Sequence, residues 1–143
     1  TAFLEGTIRT LSAERRAEVL AAVRRVATHV GEAHGLTVEF DHVEGYPVTV
    51  NDAGAAATVL ETAADLLGQP ASRLMPAPLM GAEDFSYVLQ RVPGVMAFLG
   101  ACPPGLEPAG APGNHSNLVV FDEEPLPAGV ALYARMAMQA LAG

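Results

Sequence analysis

The residue with the clearest potential for chemistry is His115, in the sequence Gly113-Asn114-His115-Ser116. It follows a loop rich in glycine and proline and precedes the apolar run 118–121, which places an imidazole at the mouth of a structured core. A hydrolytic zinc site needs at least three protein ligands from His, Cys, Asp or Glu, and an open position for water. The chain offers one such ligand convincingly, so the pattern indicates part of a metal site. From the local sequence alone, the alternative is a hydrogen-bonded loop histidine without a ligand role.

Four further side chains offer chemistry, and each has a plain structural alternative. Glu83 and Asp84 are adjacent carboxylates at a predicted helix start, where acids serve metal or acid–base chemistry or simply stabilise the helix N-terminus. Arg9 follows Gly6 and carries a guanidinium suited to gripping a substrate carboxylate through two hydrogen bonds, or to a surface ion pair. Cys102 has no basic neighbour in the sequence, which favours inert packing over thiolate chemistry.

Composition narrows the class of partner. The formal net charge is −8 and every basic residue is an arginine, whereas a nucleic-acid or anionic-membrane partner needs a basic face. No apolar run approaches the roughly 18 residues that span a bilayer, and neither a phosphate-binding loop nor a nucleophile elbow occurs. The single cysteine allows no internal disulfide, which favours a reducing compartment. We therefore expect a cytoplasmic protein with a small-molecule or protein partner, no nucleic acid and no membrane.

Helical patterns account for four segments. Apolar residues recur at intervals of three and four, with capping residues before them and glycine or proline after them. The predicted helices run from 13 to 34 after Ser12, from Asn51 or Asp52 to Gly68, from Glu83 towards Arg91, and onward from about Leu126. Their predicted buried stripes are Val19, Val23, Val26, Val30 and Ala33 in the first, Ala56, Val59, Leu60, Ala63 and Leu67 in the second, and Val130, Tyr133, Ala134, Ala137 and Leu141 in the last.

Three segments are predicted as strands. Residues 2–10 and 36–43 mix or alternate apolar and polar residues, and 94–100 contain a continuous apolar run typical of a strand covered on both faces. We therefore predict an α/β protein with a small α+β layer in residues 1–50, a boundary near Val50-Asn51, and a second part over 51–143. Because the sequence begins at Thr1 within strand-like residues and without Met, we expect a segment of a longer polypeptide.

Four motifs in order resemble the amidohydrolase family of hippurate hydrolases. That family includes the auxin-conjugate hydrolases and other dinuclear-metal relatives among the aminoacylases and carboxypeptidases. The motifs are Phe3–Leu11, Gly45–Asp52, Met80–Tyr87, and Gly113–Ser116 followed by Phe121–Glu124. Together they are far more specific than any one alone, and the resemblance covers essentially the whole chain but only the C-terminal part of the family's length.

This resemblance implies a fold and a metal centre. Residues 1–50 would be the second half of an α+β lid domain that forms a homodimer interface, and residues 51–143 would close a helix–sheet–helix catalytic domain. His115 matches the family's last metal ligand, while the remaining ligands and the general-base glutamate belong to the family's N-terminal portion. The implied cofactor is a pair of divalent ions, zinc or manganese. Asn117 departs from the family pattern, which has proline after His-Ser, and this weakens the rigidity of the loop.

The implied activity is hydrolysis of N-acyl amino acids, such as hippurate-like amides, by metal-activated water. By resemblance, Arg9 anchors the substrate carboxylate and Glu83 supports the site from outside the ligand shell. No catalytic residue of this chain is implied, so we expect the chain alone to be inactive. The alternative is a non-catalytic dimerisation or binding module that keeps the lid as an interface. Gly-Cys-Gly-His-Asp and Glu-Glu motifs encoded upstream of Thr1 would favour the enzyme.

Overall fold

A computed structural model describes residues 1–142, apart from the side chain of Pro70. Within that range the α-helices are α1 (Ala13–Ala33), α2 (Ala53–Leu67), α3 (Ser86–Leu89) and α4 (Leu126–Ala142), with a single 3-10 turn at Gln69–Ala71. No strand is formed by residues 1–142. The helical part of the predicted α/β class is therefore observed, and the sheet part stays a prediction.

The ends of α1 follow the predicted capping residues. The Ser12 hydroxyl accepts a hydrogen bond from the Arg15 backbone N–H at 3.1 Å, which satisfies one of the free donors of the first turn. The pKa of the Glu14 carboxyl is lowered because it accepts hydrogen bonds from its own backbone N–H and from the Ser12 hydroxyl. Gly35 has φ of +67° just past the last turn, a conformation that glycine adopts without steric cost. The first predicted helix is confirmed.

The chain after α1 folds back along the helix. Gly31 is the buried residue of α1, and Val38 lies directly against it. The guanidinium of Arg24 stacks over the Phe40 ring, with its central carbon 5.0 Å from the ring centroid. Val38 and Phe40 therefore both face α1, as the alternating pattern of this segment predicts.

We predict that Gly31→Ala destabilises the protein although alanine is the better helix former. A Cβ at position 31 would overlap Cγ2 of Val38, so the Val38 side chain or its segment must move away from the helix. Overpacking of this kind costs about 1–3 kcal/mol, which exceeds the gain of about 1 kcal/mol in helix propensity. Urea titration measures the free energy of unfolding. The double variant with Val38→Ala should recover most of the loss, and equal stability of Gly31→Ala and the parent would contradict the close contact.

The second helix packs against the last one. α2 begins after Asp52, whose carboxylate accepts from the Ala55 backbone N–H at 2.8 Å, and it ends at Gly68 with φ of +88°. α2 and α4 are in contact, and the buried Thr62 hydroxyl donates to Oε1 of Gln139 at 3.0 Å. The predicted second helix is confirmed, with Asp52 rather than Asn51 as its cap.

The predicted buried face of α4 is wrong. Its aliphatic and aromatic members are exposed, by 71% at Val130, 83% at Tyr133 and 89% at Leu141. The half-buried residues are instead Ala128, Gly129, Leu132 and Met136, on the opposite side of the helix. Apolar residues surround this helix, since Arg135 and Gln139 are its polar side chains, so periodicity cannot choose between two apolar faces. The side with Gly129 is chosen because it allows Leu99 to approach closely.

The predicted stripe of α1 is also largely exposed, with Val23, Val26 and Val30 exposed by 39%, 52% and 55%. Among the residues that the structure describes, no hydrophobic side chain is fully buried. Hydrophobic burial is the dominant favourable term in folding. The apolar faces of α1 and α4 that the sequence predicts to be buried are therefore exposed within residues 1–142.

The three predicted strands are absent from the described part of the chain. Residues 2–10, 36–43 and 94–100 carry apolar side chains in strand-like patterns but form no ladder. An alternating pattern predicts which face of a segment is apolar, whereas a strand also requires a neighbouring backbone to complete its hydrogen bonds. The predicted third helix is also shorter, since it begins at Ser86 and ends at Leu89.

Two compact units share the chain. The first comprises Thr1–Val50 and Pro76–Pro93 and holds α1 and α3; the second comprises Asn51–Met75 and the chain from Gly94 onward, and holds α2 and α4. The assignment of residues 1–50 to a lid and of 51–143 to a catalytic domain stays a prediction. Within residues 1–142, no helix has the length and apolar composition needed to cross a membrane.

Candidate functional site

His115 lies on a long loop whose two ends are joined. The backbone N–H of Asp122 donates to the carbonyl of Ala101 at 2.9 Å. Residues 102–121 therefore form a loop whose base is this hydrogen bond. Leu99, just before this base, packs against Gly129 of α4. A Cβ added at Gly129 would lie 3.1 Å from Cδ2 of Leu99. The helix therefore fixes the start of the loop that carries the candidate ligand.

Asn51 holds the segment that leads into this loop. Its side-chain amide donates to the carbonyl of Met96 at 3.1 Å and accepts from the Met96 backbone N–H at 2.9 Å. The neighbouring Asp52 N–H donates to the carbonyl of Gly94 at 2.9 Å. The Asn51 amide therefore pairs with both backbone hydrogen-bonding groups of Met96. From the sequence, Asn51 is a candidate helix cap, and its position directly before the capping aspartate is the one local signal of a second role.

The imidazole itself stands on a tight turn. The Ser116 N–H donates to the Gly113 carbonyl at 2.8 Å, which puts Asn114 and His115 at the two central positions. The His115 side chain is exposed and Ser116 beside it is half-buried. The turn therefore presents the ring outward from a fixed backbone.

The described residues do not form a complete metal site. No group of three or more His, Cys, Asp or Glu side chains within residues 1–142 is arranged to hold an ion. An exposed imidazole has the chemistry of a single ligand, and a hydrolytic metal needs at least two more protein ligands. The described residues therefore offer His115 as a single imidazole, and its role as a metal ligand stays a prediction.

Glu83 makes local contacts at the start of α3. Its Oε1 accepts from the Phe85 backbone N–H at 3.0 Å, and its carbonyl accepts from the hydroxyl and the N–H of Ser86. Ser86 is fully buried and Glu83 is half-buried. These contacts are the helix-stabilising role that the sequence analysis gave as the alternative for this carboxylate.

Arg9 and Cys102 also have local partners. The Arg9 guanidinium donates to the Thr7 hydroxyl at 2.9 Å on an exposed surface, and it forms no ion pair with the described residues. The Cys102 thiol is half-buried and lies 3.6 Å from the Leu106 carbonyl, inside the loop that carries His115. That position matches the packing role expected for a thiol without a basic neighbour.

The three predicted site residues fall in two different units. Arg9 and Glu83 belong to the first unit. Within the described part of the chain, each forms hydrogen bonds only with residues two or three positions away in the sequence, and none of these bonds links Arg9 to Glu83. His115 belongs to the second unit. Their proposed joint roles in one site remain predictions.

Comparison with known families decides the wider assignment. The sequence profile described as "Peptidase family M20/M25/M40" matches residues 5–139, nearly the whole chain. The chain belongs to peptidase family M20/M25/M40. The matched range includes Arg9, Glu83 and His115, so each predicted site residue lies within the shared region.

Individual relatives of this M20-family chain are named as a carboxypeptidase, a hydrolase and a deacetylase. Thermostable carboxypeptidase 2 of Saccharolobus solfataricus is 32% identical over 139 residues, covering 95% of this chain and 33% of the relative. IAA-amino acid hydrolase ILR1-like 2 of Arabidopsis thaliana is 40% identical over 98 residues, covering 68% and 21%. N-acetyldiaminopimelate deacetylase of Streptococcus thermophilus is 38% identical over 101 residues, covering 70% and 26%. The chain spans a third or less of the length of these curated relatives.

The predicted resemblance to an amidohydrolase family is confirmed by these matches. They support an enzyme family of hydrolases. The ligand role of His115 and the roles of Arg9 and Glu83 stay predictions.

Proposed function

We propose that this chain is the C-terminal portion of an M20-family amidohydrolase that cleaves N-acyl amino acids, with hippurate-like amides as its substrate class. The observation that carries the proposal is the family match over residues 5–139, within which His115 stands exposed on a hydrogen-bonded turn. Relatives named for hydrolysis of an auxin–amino acid conjugate and for deacetylation of an acetylated amino acid support the substrate class.

In this proposal, His115 provides a ring nitrogen to one ion of a divalent pair, zinc or manganese. Zinc accepts imidazole nitrogen as a ligand. The remaining ligands and the general base come from polypeptide that precedes this chain. When bound, such ions supply a Lewis acid and an activated water for amide hydrolysis. The exposure of the imidazole supports this role, since a ligand must be reachable by groups outside its own turn.

Arg9 and Glu83 take supporting roles. The Arg9 guanidinium anchors the carboxylate of the amino-acid half of the substrate, because a guanidinium can donate two parallel hydrogen bonds to a carboxylate. Its exposure and its single contact with Thr7 leave donors available for such a ligand. Glu83 uses one carboxylate oxygen to hold the first turn of α3, and in this proposal it supports the metal site from outside the ligand shell.

Residues 1–50 form part of a lid that joins two copies into a cytoplasmic homodimer. Exposed apolar side chains at the N-terminus, Phe3 at 93% and Leu4 at 97%, support a further contact for this segment. One observation favours a second candidate, a non-catalytic dimerisation module: hydrophobic side chains of the described residues are uncovered on both α1 and α4.

Turnover separates the two candidates. With zinc or manganese, the purified 143-residue chain should release no glycine from hippurate above the rate of a metal-only blank, because its described residues hold no set of three ligands. The polypeptide extended upstream of Thr1 should hydrolyse hippurate or a related N-acyl amino acid. Turnover by the short chain would overturn the proposed division of the site. An inactive extended polypeptide that still dimerises would favour the non-catalytic module.

A further inference from the structure

We infer that Ser116 is the positioning residue for His115: it locks the turn that orients the imidazole. The inference rests on the proposed role of His115 as a ligand and adds a residue that acts through it. Ser116 is unusual because its backbone N–H, its carbonyl and its hydroxyl all form hydrogen bonds within the seven residues 113–119.

The hydrogen bonds join two successive turns at one residue. The Ser116 N–H closes the turn from Gly113, at 2.8 Å, and the Ser116 carbonyl accepts from the Val119 N–H at 3.2 Å to close the next turn. The Ser116 hydroxyl accepts from the Leu118 N–H at 3.1 Å, a local contact typical of serine in turns. Two turns that share a residue fix the backbone on both sides of that residue. The direction of the preceding Cα–Cβ bond, at His115, follows from it.

Burial separates Ser116 from its neighbours. Asn114, His115 and Asn117 are exposed, whereas Ser116 is half-buried. Exposed turns of small and polar residues have many backbone conformations available, and Asn117 does not restrict φ as a proline would. The hydroxyl of Ser116 is therefore the side-chain contact that limits the motion of this turn. An imidazole held in one direction loses less entropy when it binds an ion than one that samples many.

The test measures order at His115 in the full 143-residue chain by NMR relaxation. In the parent, the backbone order parameter of His115 should lie near the rigid value of about 0.85, and in Ser116→Ala it should fall below about 0.6. Amide exchange at Leu118 should accelerate, because its acceptor is gone. Ser116→Thr keeps the hydroxyl and should restore both values. Ser116→Cys keeps a side chain of similar size but weakens the acceptor. It should show the same loss of order at His115, and it replaces Ser116→Ala in the test if the alanine variant does not fold.

Ser72→Ala is the matched control. Ser72 is also half-buried in the second unit, and its hydroxyl also bonds to backbone, donating to the Leu60 carbonyl at 3.1 Å. It should leave His115 order unchanged. If Ser116 has only a structural role, Ser116→Ala should lower the thermal unfolding midpoint as Ser72→Ala does, without a selective change in order at His115. Unchanged His115 order in both Ser116→Ala and Ser116→Cys would overturn the inference. The proposed function fails separately, if His115→Ala leaves the metal content of the extended polypeptide intact.

Discussion

Replacing His115 with alanine in the extended M20-family polypeptide will lower kcat/KM for an N-acyl amino acid by more than about 100-fold, because loss of a ligand should exceed the 10–100-fold cost of losing its supporting contacts. The same variant should bind less zinc or manganese at equal protein concentration. Metal content measured by elemental analysis, alongside hippurate turnover, checks both expectations. The loss should appear mainly in kcat, since the substrate carboxylate is assigned to Arg9 rather than to the imidazole.

The chain offers matched controls for this substitution. His42 and His34 are exposed imidazoles like His115, and both lie in the first unit. His42→Ala and His34→Ala remove the same chemical group from the protein surface, so they should leave metal content and kcat/KM within about twofold. If His115→Ala matches these controls, His115 is a loop histidine without a ligand role, and the proposed function loses its main residue.

Local signals in the sequence predicted the ends of α1 and α2. Ser12, Asp52, Gly35 and Gly68 each begin or end a helix through contacts with residues at most a few positions away. Such contacts are encoded in short stretches of sequence, so capping rules find them. The exposed position of His115 in a Gly-Asn-His-Ser turn is a local feature of the same kind.

Features that depend on distant partners were not predicted. The choice of the Gly129 face of α4 depends on Leu99, thirty positions away, and two apolar faces compete for that contact. The pairing of Asn51 with Met96 joins residues 45 positions apart. Strand formation needs a partner backbone that an alternating pattern does not identify. The base of the candidate loop depends on these distant contacts and is not encoded in any short stretch of sequence, whereas its histidine is visible in the sequence.

Self-association of the 143-residue chain is the second large effect that the structure predicts. Apolar patches of this kind are rare on stable monomers and mark surfaces that contact other molecules. On α4, Val130, Tyr133 and Leu141 lie on one face and are each more than 70% exposed. We expect the mass measured by light scattering to rise with protein concentration, well above the 14.8 kDa of one chain.

A charge on this face should oppose the association. Tyr133→Glu places a carboxylate among the exposed apolar side chains, and loss of a central tyrosine should raise the apparent dissociation constant by at least about tenfold. Ala131→Glu is the matched control, because Ala131 is exposed on the same helix but outside the predicted stripe. Equal association of the two variants would show that α4 is not the contact surface.

The extended polypeptide distinguishes the two origins of this surface. In the first, the preceding part of the enzyme covers the face of α4 in the extended polypeptide. In that case Tyr133→Glu should no longer change association, and it should lower the stability of the extended polypeptide instead. A buried tyrosine replaced by an unpaired carboxylate costs several kcal/mol, on the order of 3–5, and a shift in the unfolding midpoint would report it. If Tyr133→Glu instead weakens dimerisation of the extended polypeptide without changing its stability, the face of α4 is an interface between copies. Dimerisation would then involve the second unit in addition to the proposed lid.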